Sequence, residues 1–289
     1  MKLIGAKVLF SSSYMPFSEI IKQINQMNPD VVHLHWITGG MMTIEDLSKI
    51  NVPIVWSLHD MWAFTDGFHY DEYYDICKRR CPSMPKNFLS DKVFYRKQKT
   101  YSKINNITII GLSKWMSDCA KNSVLLKNKR HIILPNMIDT STFRPFDKKK
   151  SKELWNLSNN KKIILFGTLN GADDPRKGFS ELSKALNQLT VPNVELVVFG
   201  SNRPKYPPDF GFKTHYMGIL DNDESLAQLY SAADVMVVPS LQENLSNAIM
   251  ESLACATPVV GFNIGGNKDM IDHKKNGYLA EPFDVIDLK

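Results

Sequence analysis

Short runs of β-branched residues alternate with amphipathic stretches along the whole 289-residue chain. This alternation is typical of parallel sheets covered by helices on both faces, so the predicted fold class is α/β. Strands are predicted at Lys7–Phe10, Val31–His35, Ile54–Leu58, Ile107–Leu112, Ile132–Leu134, Ile163–Phe166, Val194–Phe199, Thr214–Met217, Val235–Val238 and Val259–Phe262. Helices are predicted between them, for instance at Phe17–Met27, Phe88–Ile104, Lys177–Leu189, Glu224–Ala233 and Asn247–Cys255.

Proline and charge interrupt this pattern between Pro145 and Lys150. The interruption predicts two Rossmann-like domains, residues 1–145 and residues 146–289, and an active site in a cleft between them, because ligands of such folds bind at the carboxyl ends of the strands. Both domains are expected to be incomplete. No glycine-rich turn follows the first strand, and the helix that begins near Asp284 stops before two turns are complete.

Composition places the chain among globular proteins of a reducing compartment. Apolar residues make up 43% of it and charged residues 22%, which is enough to bury real cores. No apolar run is long enough to span a bilayer, and no signal peptide opens the sequence. Four cysteines are too few for a disulfide scaffold of this size. The predicted location is therefore the cytoplasm.

The positive charge is concentrated in one segment. Nine basic residues and one acid, Asp91, lie between Lys78 and Lys103. One interpretation is a solvated helix face. The other is peripheral contact with an anionic membrane at its inner face, or with a phosphate-bearing acceptor, since each base near an anionic surface contributes about 1 kcal/mol. Nucleic acid is not an expected partner, because no stacking platform accompanies the charge. The basic residues of this helix face are Lys92, Arg96, Lys99 and Lys103.

Two carboxylates flank a predicted helix start in the second half. A buried strand ends at Pro239, Glu243 lies in the loop that follows, and Glu251 lies one turn inside the helix that Ser246 is expected to cap. A helix N-terminus offers unpaired N–H groups to a diphosphate, and carboxylates accept hydrogen bonds from sugar hydroxyls. The predicted donor-binding residues of this segment are Glu243, Asn244, Leu245, Ser246, Asn247 and Glu251.

This pair resembles the E-x(7)-E motif of the retaining family-4 (group 1) glycosyltransferases of the GT-B superfamily, which include bacterial cell-surface polysaccharide enzymes. The resemblance extends to the segments 135–145, 230–234, 257–260 and 265–266. It implies two Rossmann-like domains whose parallel sheets face each other across a cleft. It also implies that Glu243 contacts the donor sugar and that Glu251 holds the ribose hydroxyls.

A second site follows the strand at Ile163–Phe166. Lys177 opens a predicted helix, where a cation is unfavourable to the helix dipole, so an anion is expected to neutralise it. In the family that this sequence resembles, an R-K-G-like segment binds the donor phosphates. The resemblance implies that role for Lys177 and, beside it, Arg176. The sequence departs from the family at Thr168, where many members carry arginine. Gly265-Gly266 allows either close approach to the donor or an ordinary left-handed turn.

In the first half, His33 and His35 share one face of a predicted strand, and His59 ends the next one. The family places a histidine at that strand end near the donor sugar, which implies that His59 is a catalytic-site residue together with Lys177 and Glu243. Asp60 is expected either to orient His59 or to cap the following turn.

No metal site is predicted. The histidines His33, His35 and His59 have suitable chemistry but no spacing signature. A CxxxC pair, Cys77 and Cys81 with His69 nearby, is too little to indicate zinc.

The resemblance implies a retaining hexosyltransferase. The enzyme would move a sugar from a nucleotide diphosphate donor to a glycan or lipid-linked acceptor in surface polysaccharide biosynthesis. No cofactor is expected, because the nucleotide-sugar is a substrate. The alternative is a catalytically impaired fragment that binds the nucleotide-sugar, and a two-domain epimerase or phosphorylase is a third class. The sequence specifies neither the donor's base and sugar nor the acceptor and linkage.

Overall fold

The computed structural model describes residues 9–15, 19–70, 88–167, 174–203 and 207–289. These residues form two compact units, one ending at Asn136 and the other beginning at Met137. The strands assigned within the described residues pair in parallel and form two sheets. The predicted α/β fold class is confirmed.

The N-terminal unit contains a four-stranded sheet in the order β1-β2-β3-β4. Its core is a single apolar cluster that includes Ile54, Trp56, Trp62, Val93 and Ile109. The strands are β1 Val32–Leu34, β2 Ile54–Leu58, β3 Ile107–Gly111 and β4 Arg130–Ile133, and the helices are α1 Ile20–Met27, α2 Phe88–Tyr101 and α3 Lys114–Asn122.

The C-terminal unit contains a six-stranded sheet in the order β10-β9-β8-β5-β6-β7. Its strands are β5 Lys162–Gly167, β6 Val194–Phe199, β7 Lys213–Tyr216, β8 Val235–Val238, β9 Val259–Phe262 and β10 Gly277–Ala280. Its helices are α4 Lys148–Leu154, α5 Phe179–Leu186, α6 Asp223–Ala232, α7 Asn247–Ala254, α8 Asn267–Met270 and α9 Val285–Leu288.

The central strands of this sheet are buried on both faces. Along β5, Ile163 and Leu165 pack into one apolar cluster, whereas Phe166 packs into a second. Successive side chains of a strand point to opposite faces, so the continuous apolar run of β5 serves two cores at once. This explains why the strands predicted from uninterrupted apolar runs match the structure closely.

The largest difference from the predicted elements lies at the expected domain boundary. The charged run 147–150, read as an interruption, forms the start of α4, because the Asp147 side chain accepts a hydrogen bond from the Lys150 amide and caps the helix. Phe143 is buried in the C-terminal core, and the Phe146 amide donates to Ser231 Oγ at 3.1 Å. The residues from Met137 to Pro145 therefore pack with the C-terminal unit.

Two further differences concern element ends. The predicted helix at Lys177–Leu189 is divided: a one-turn 3₁₀ helix, Pro175–Lys177, is followed by Gly178 in a left-handed conformation, and α5 begins at Phe179. Half of the predicted first strand, Lys7 and Val8, lies outside the described residues. Its last residue, Phe10, forms a single antiparallel bridge with Phe68.

Candidate functional site

The six-stranded sheet reverses its strand order between β5 and β8. From β5 the chain continues to β6 on one side, and from β8 it continues to β9 on the other side. Ligands of open α/β sheets bind in the crevice outside the carboxyl ends of strands at such a switch point. The segment 174–178, which precedes α5, and the loop 239–246, which follows β8, both lie at that end of the sheet.

These two segments bring Lys177 and Glu243 together. Lys177 Nζ lies 3.0 Å from Glu243 Oε2, and the side chains are 40% and 13% exposed, respectively. Ser240 Oγ donates to the same oxygen at 3.4 Å, and the Asn244 amide donates to Oε1 at 3.2 Å. A cation and a carboxylate, separated by 66 positions in the sequence, thus form one partly shielded pair at the switch point.

Glycine at two positions permits the close approach of these segments. Gly178 has φ +70°, and a Cβ atom there would lie 1.8 Å from the Pro239 carbonyl oxygen. Gly265 has φ +50°, and a Cβ there would lie 2.0 Å from the Glu243 carbonyl oxygen. No other residue type fits either position. Gly265 therefore forms the left-handed turn that was one of the two expectations for Gly265-Gly266, and close approach to a donor stays a prediction.

Backbone hydrogen bonds connect the same segments. The Leu241 amide donates to the Arg176 carbonyl oxygen at 2.7 Å, and the Gly266 amide donates to the Glu243 carbonyl oxygen at 3.1 Å. The backbones that carry Lys177 and Glu243 are therefore held by packing and hydrogen bonds, in addition to the ion pair.

Arg176, predicted as a second phosphate ligand, is engaged with Asp174. Its Nε and NH2 donate to the two oxygens of Asp174 at 3.0 and 2.7 Å. The same carboxylate caps the 3₁₀ turn by accepting from the Arg176 amide at 3.0 Å. The Asp174 charge thus offsets that of Arg176. Thr168, where the sequence departs from the family, lies outside the described residues.

Glu251 lies within α7 and has a different environment from Glu243. The Tyr230 hydroxyl donates to Glu251 Oε2 at 2.9 Å. Burial raises the pKa of the Glu251 carboxyl above its ordinary value, whereas the Tyr230 hydrogen bond acts in the opposite direction. Among the described residues, the other carboxylate oxygen, Oε1, has no hydrogen-bond partner. Tyr230 is a functional candidate that the sequence reasoning did not single out.

The segment between the two glutamates leads into the helix as predicted. α7 begins at Asn247 and Ser246 occupies the N-cap position, although its side chain makes no capping hydrogen bond. Asn244 and Ser246 are buried, Leu245 is half-buried, and Asn247 is exposed.

In the N-terminal unit, the strand ends of β1 and β2 bring three histidines into contact. His35 Nδ1 and His59 Nε2 are 2.8 Å apart, and the rings of His33 and His35 have their centroids 4.3 Å apart. His33 Nε2 lies 2.8 Å from Ser57 Oγ. Burial, followed by the neighbouring His35, lowers the pKa of His59, and the same two causes lower the pKa of His33. The neutral form of His59 is therefore favoured.

Asp60 caps the turn after β2, which is the second of its two predicted roles. Its Oδ1 accepts from the Trp62 amide at 2.9 Å, and its Oδ2 lies 2.6 Å from His69 Nδ1. His69 Nε2 lies 2.8 Å from Ser11 Oγ. The His69 side chain is fully buried, so this Asp–His–Ser chain holds the turn after β2 against the segment at 9–15.

The basic helix α2 presents a narrower charged face than predicted. Arg96 Nε and NH2 donate to Glu45 at 2.7 and 2.6 Å, and the guanidinium also donates to the Ser12 and Ser13 carbonyl oxygens. Arg96 therefore connects α2 to Glu45 and to the segment at Ser12 and Ser13. The other three residues of the predicted face, Lys92, Lys99 and Lys103, are exposed.

Lys97 of α2 was not predicted to matter, yet its side chain is fully buried. Its ammonium donates to the carbonyl oxygens of Trp62 and Thr65 and lies 3.7 Å from the centre of the Trp62 ring. Burial lowers the pKa of Lys97 well below its ordinary value.

Within the described part of the chain, no group of three or more histidine, cysteine, aspartate or glutamate side chains is placed to hold a metal ion. Cys77 and Cys81 lie outside that part, and His69 already contacts Asp60 and Ser11. No helix found in the described ranges is both long and apolar enough to cross a membrane.

Comparisons with known proteins agree with this architecture. Residues 160–289 match the family described as "Glycosyl transferases group 1". D-inositol 3-phosphate glycosyltransferase of Segniliparus rotundus is 29% identical over 52% of this chain and 36% of its own length. An Escherichia coli protein named UDP-Gal:alpha-D-GlcNAc-diphosphoundecaprenol alpha-1,3-galactosyltransferase is 23% identical over 92% of this chain and 66% of its own length. Three curated relatives, the Segniliparus rotundus enzyme among them, are matched over only 33% to 40% of their own length.

Solved structures establish the fold. HepE of Anabaena, solved in complex with UDP, superposes with a TM-score of 0.64 at 17% identity and covers 94% of this chain and 70% of its own. Residues 160–289 therefore form a group 1 glycosyl transferase domain, and the chain has the GT-B fold.

Proposed function

We propose that this chain, which has a group 1 glycosyl transferase domain and the GT-B fold, transfers a hexose from a nucleotide diphosphate donor to an acceptor hydroxyl with retention of configuration. The observation that supports the proposal most strongly is the Lys177–Glu243 pair at the switch point of the six-stranded sheet. A cation that can meet a diphosphate and a carboxylate that can meet sugar hydroxyls lie together there, as donor binding requires.

Donor binding would separate Lys177 from Glu243, because each side chain would then bind a different part of the donor. The diphosphate binds the Lys177 ammonium, and the loop residues Asn244 to Ser246 together with Asn247, the first residue of α7, offer it the positive end of the helix dipole. Glu243 is then released from Lys177 and accepts hydrogen bonds from the donor sugar. Arg176 contributes as a second cation only if it leaves Asp174, so Lys177 is the principal phosphate ligand.

Electrostatic stabilisation of the leaving group would supply most of the catalysis. As the bond between the anomeric carbon and the phosphate oxygen breaks, negative charge grows on the nucleoside diphosphate, and Lys177 and the α7 N-terminus stabilise it. The acceptor oxygen bonds to the anomeric carbon on the same face, and its proton passes to the departing phosphate oxygen. No protein nucleophile and no metal is required in this scheme.

His59 supplies a neutral imidazole from the N-terminal unit. Its Nε2 lies 2.8 Å from His35 Nδ1, and its lowered pKa keeps the ring uncharged near neutral pH. A neutral imidazole hydrogen-bonds a sugar hydroxyl without competing with Lys177 for the phosphates. We therefore assign His59 to the donor sugar.

The acceptor is proposed to be a glycan or a lipid-linked saccharide of surface polysaccharide assembly, reached from the cytoplasmic side of the membrane. The printed name of the Escherichia coli relative contains a diphosphoundecaprenol acceptor, which supports this setting. Lys92, Lys99 and Lys103 of α2 are exposed and would meet an anionic membrane surface there.

The first experiment identifies the donor and tests the pair. Thermal shift with UDP-, GDP- and ADP-sugars finds the donor, because a ligand that binds the folded state raises Tm by mass action. Turnover of that donor, with and without acceptor, is then measured in Lys177→Ala and Glu243→Gln. Each variant should lose at least about tenfold in kcat, as is typical when an electrostatic group is removed.

Lys184→Ala is the matched control, because Lys184 of α5 has an exposed side chain whose ion-pair partner, Glu181 at 3.8 Å, belongs to the same helix and not to the proposed site. It should leave kcat unchanged. Normal kinetics in both site variants would rule out the assignment. Donor binding without any turnover in the wild type would instead favour a nucleotide-sugar-binding protein.

A further inference from the structure

The Tyr230 hydroxyl is unusual because its partner is a carboxylate inside the proposed donor site. Tyr230 lies in α6, its side chain is 0% exposed, and its hydroxyl donates to Glu251 Oε2 at 2.9 Å. The ring packs edge-to-face on Phe199 with centroids 5.7 Å apart. Since the ring is enclosed by the core, the hydroxyl has one fixed position from which to reach α7.

The backbone of Tyr230 is fixed as well. Its carbonyl oxygen accepts from Thr257 Oγ1 at 2.7 Å, and Thr257 lies just beyond the end of α7. The next residue, Ser231, donates its hydroxyl to the Ala227 carbonyl oxygen at 2.9 Å. The hydroxyl and the carbonyl of Tyr230 thus connect α6 to both the interior and the end of α7.

This arrangement gives the two carboxylate oxygens of Glu251 different hydrogen-bonding environments. Oε2 is occupied by Tyr230, whereas Oε1 has no partner among the described residues. A carboxylate held by one oxygen cannot rotate freely, so its other oxygen has a defined direction. Preorganised acceptors of this kind bind hydroxyl groups without the entropic cost of ordering the side chain.

We infer that Tyr230 is a positioning residue for the donor's ribose: by holding Glu251 Oε2, it directs Oε1 to the vicinal ribose hydroxyls. The inference rests on the proposed function, in which Glu251 binds the ribose. It adds a residue that touches no ligand and acts through Glu251 alone. A merely structural role would be different, because filling the core and satisfying a buried hydroxyl affect stability but not ribose recognition.

The test measures recognition of the ribose directly. Calorimetry gives Kd for the nucleoside diphosphate with the largest thermal shift among UDP, GDP and ADP, and for its 2′,3′-dideoxy analogue. The Kd of the dideoxy analogue divided by the Kd of the unmodified ligand measures how much the ribose hydroxyls contribute to affinity. In the wild type it should be about tenfold or more, since hydrogen bonds to a charged acceptor are strong.

Tyr230→Phe keeps the ring and removes only the hydroxyl. This variant should lower the Kd ratio by about threefold or more, mainly because the unmodified ligand binds less tightly. Glu251→Gln should lower the ratio at least as far. The double variant should match Glu251→Gln alone, because Tyr230 has no route to the ribose except through Glu251. Thr257→Val, which removes the bond to the Tyr230 carbonyl oxygen, should shift the ratio in the same direction.

Tyr101→Phe is the matched control. Its hydroxyl is also buried, but it donates to the Ala63 carbonyl oxygen at 2.9 Å in the N-terminal unit, so the Kd ratio should stay at the wild-type value. A normal ratio in Tyr230→Phe beside a collapsed ratio in Glu251→Gln would overturn the inference and leave the proposed function standing. A ratio near one in the wild type, or no effect of Glu251→Gln, would overturn the ribose role of Glu251 itself.

Discussion

Glu251, the proposed ribose ligand, lowers the stability of the fold in its charged form. Burial raises its pKa, which means that folding disfavours the charged form. The resulting destabilisation is fully present at pH values above the raised, folded-state pKa. It disappears as the pH falls below the ordinary glutamate value, where both states are protonated. A group that costs stability at neutral pH is a candidate for a functional role.

Glu251→Gln should therefore raise Tm near pH 8 while lowering donor affinity by about tenfold, because a neutral amide avoids the burial cost but binds hydroxyls less strongly. The gain in Tm should shrink toward pH 4. Thermal unfolding of both proteins across this range, with donor titrations at pH 8, measures both effects. A variant less stable than the wild type at pH 8 would show that the carboxylate charge stabilises the fold.

The positions of some candidate site residues could be predicted from the sequence, whereas the contacts of others depend on partners that the sequence does not reveal. The acidic pair at 243 and 251 was identified from its place between a strand and a helix. The pairing of Glu243 with Lys177 spans 66 positions, so local pattern could not predict it. The burial of Lys97 does have a local signal, because Lys97 lies four residues from both Val93 and Tyr101 and therefore on the buried face of α2.

At the scale of elements, the site depends on how closely two segments approach each other. Gly178 combines a left-handed backbone with a position where a Cβ would lie 1.8 Å from the Pro239 carbonyl oxygen. Gly178→Ala must therefore displace either the loop after β8 or the 3₁₀ turn that carries Lys177. We expect a loss of stability of about 2–4 kcal/mol and a weaker donor complex.

Gly211→Ala is the control for backbone conformation alone. Gly211 has φ +73°, but a Cβ there would meet nothing within 4 Å, so this variant should cost only about 1 kcal/mol. Chemical denaturation of the two variants separates the steric cost from the conformational one. Equal losses in both would show that the approach of Gly178 to Pro239 is not what requires glycine.

Elements were predictable where one physical signal dominated. Central strands are uniformly apolar because both of their faces are buried, and β2, β6, β8 and β9 were predicted with their observed bounds. Strand β10 lies at the sheet edge and contains no β-branched residue, so it lacked that signal. Helix α4 was missed because its basic first turn resembles a linker, although Asp147 caps it.

At the scale of the whole molecule, the sequence indicated two α/β units with a boundary near Pro145, and the compact units of the structure divide between Asn136 and Met137. The proline and the charges near Pro145 are local features, whereas membership of a domain is decided by packing. The structure assigns the segment after Met137 to the C-terminal unit because Phe143 is buried in its core. A long-range burial of this kind leaves no periodic trace in a short segment.

Separate cores predict that a donor will stabilise one unit selectively. The proposed ligands Lys177, Glu243 and Glu251 all belong to the unit that begins at Met137. A nucleoside diphosphate at 100 times its Kd stabilises the unit that binds it by about 2.7 kcal/mol. Amides that exchange only when this unit unfolds should then exchange about 100-fold more slowly, whereas those of the N-terminal unit should be unaffected.

Hydrogen exchange followed by mass spectrometry can measure this difference on the intact chain. The informative peptides are those covering β5 and β8, compared with those covering β2 and β3. Slowing confined to β2 and β3 would contradict the position of the donor site. Equal slowing in both sheets would show that the two units unfold as one, because stabilisation by a ligand reaches only the residues that unfold together with its site.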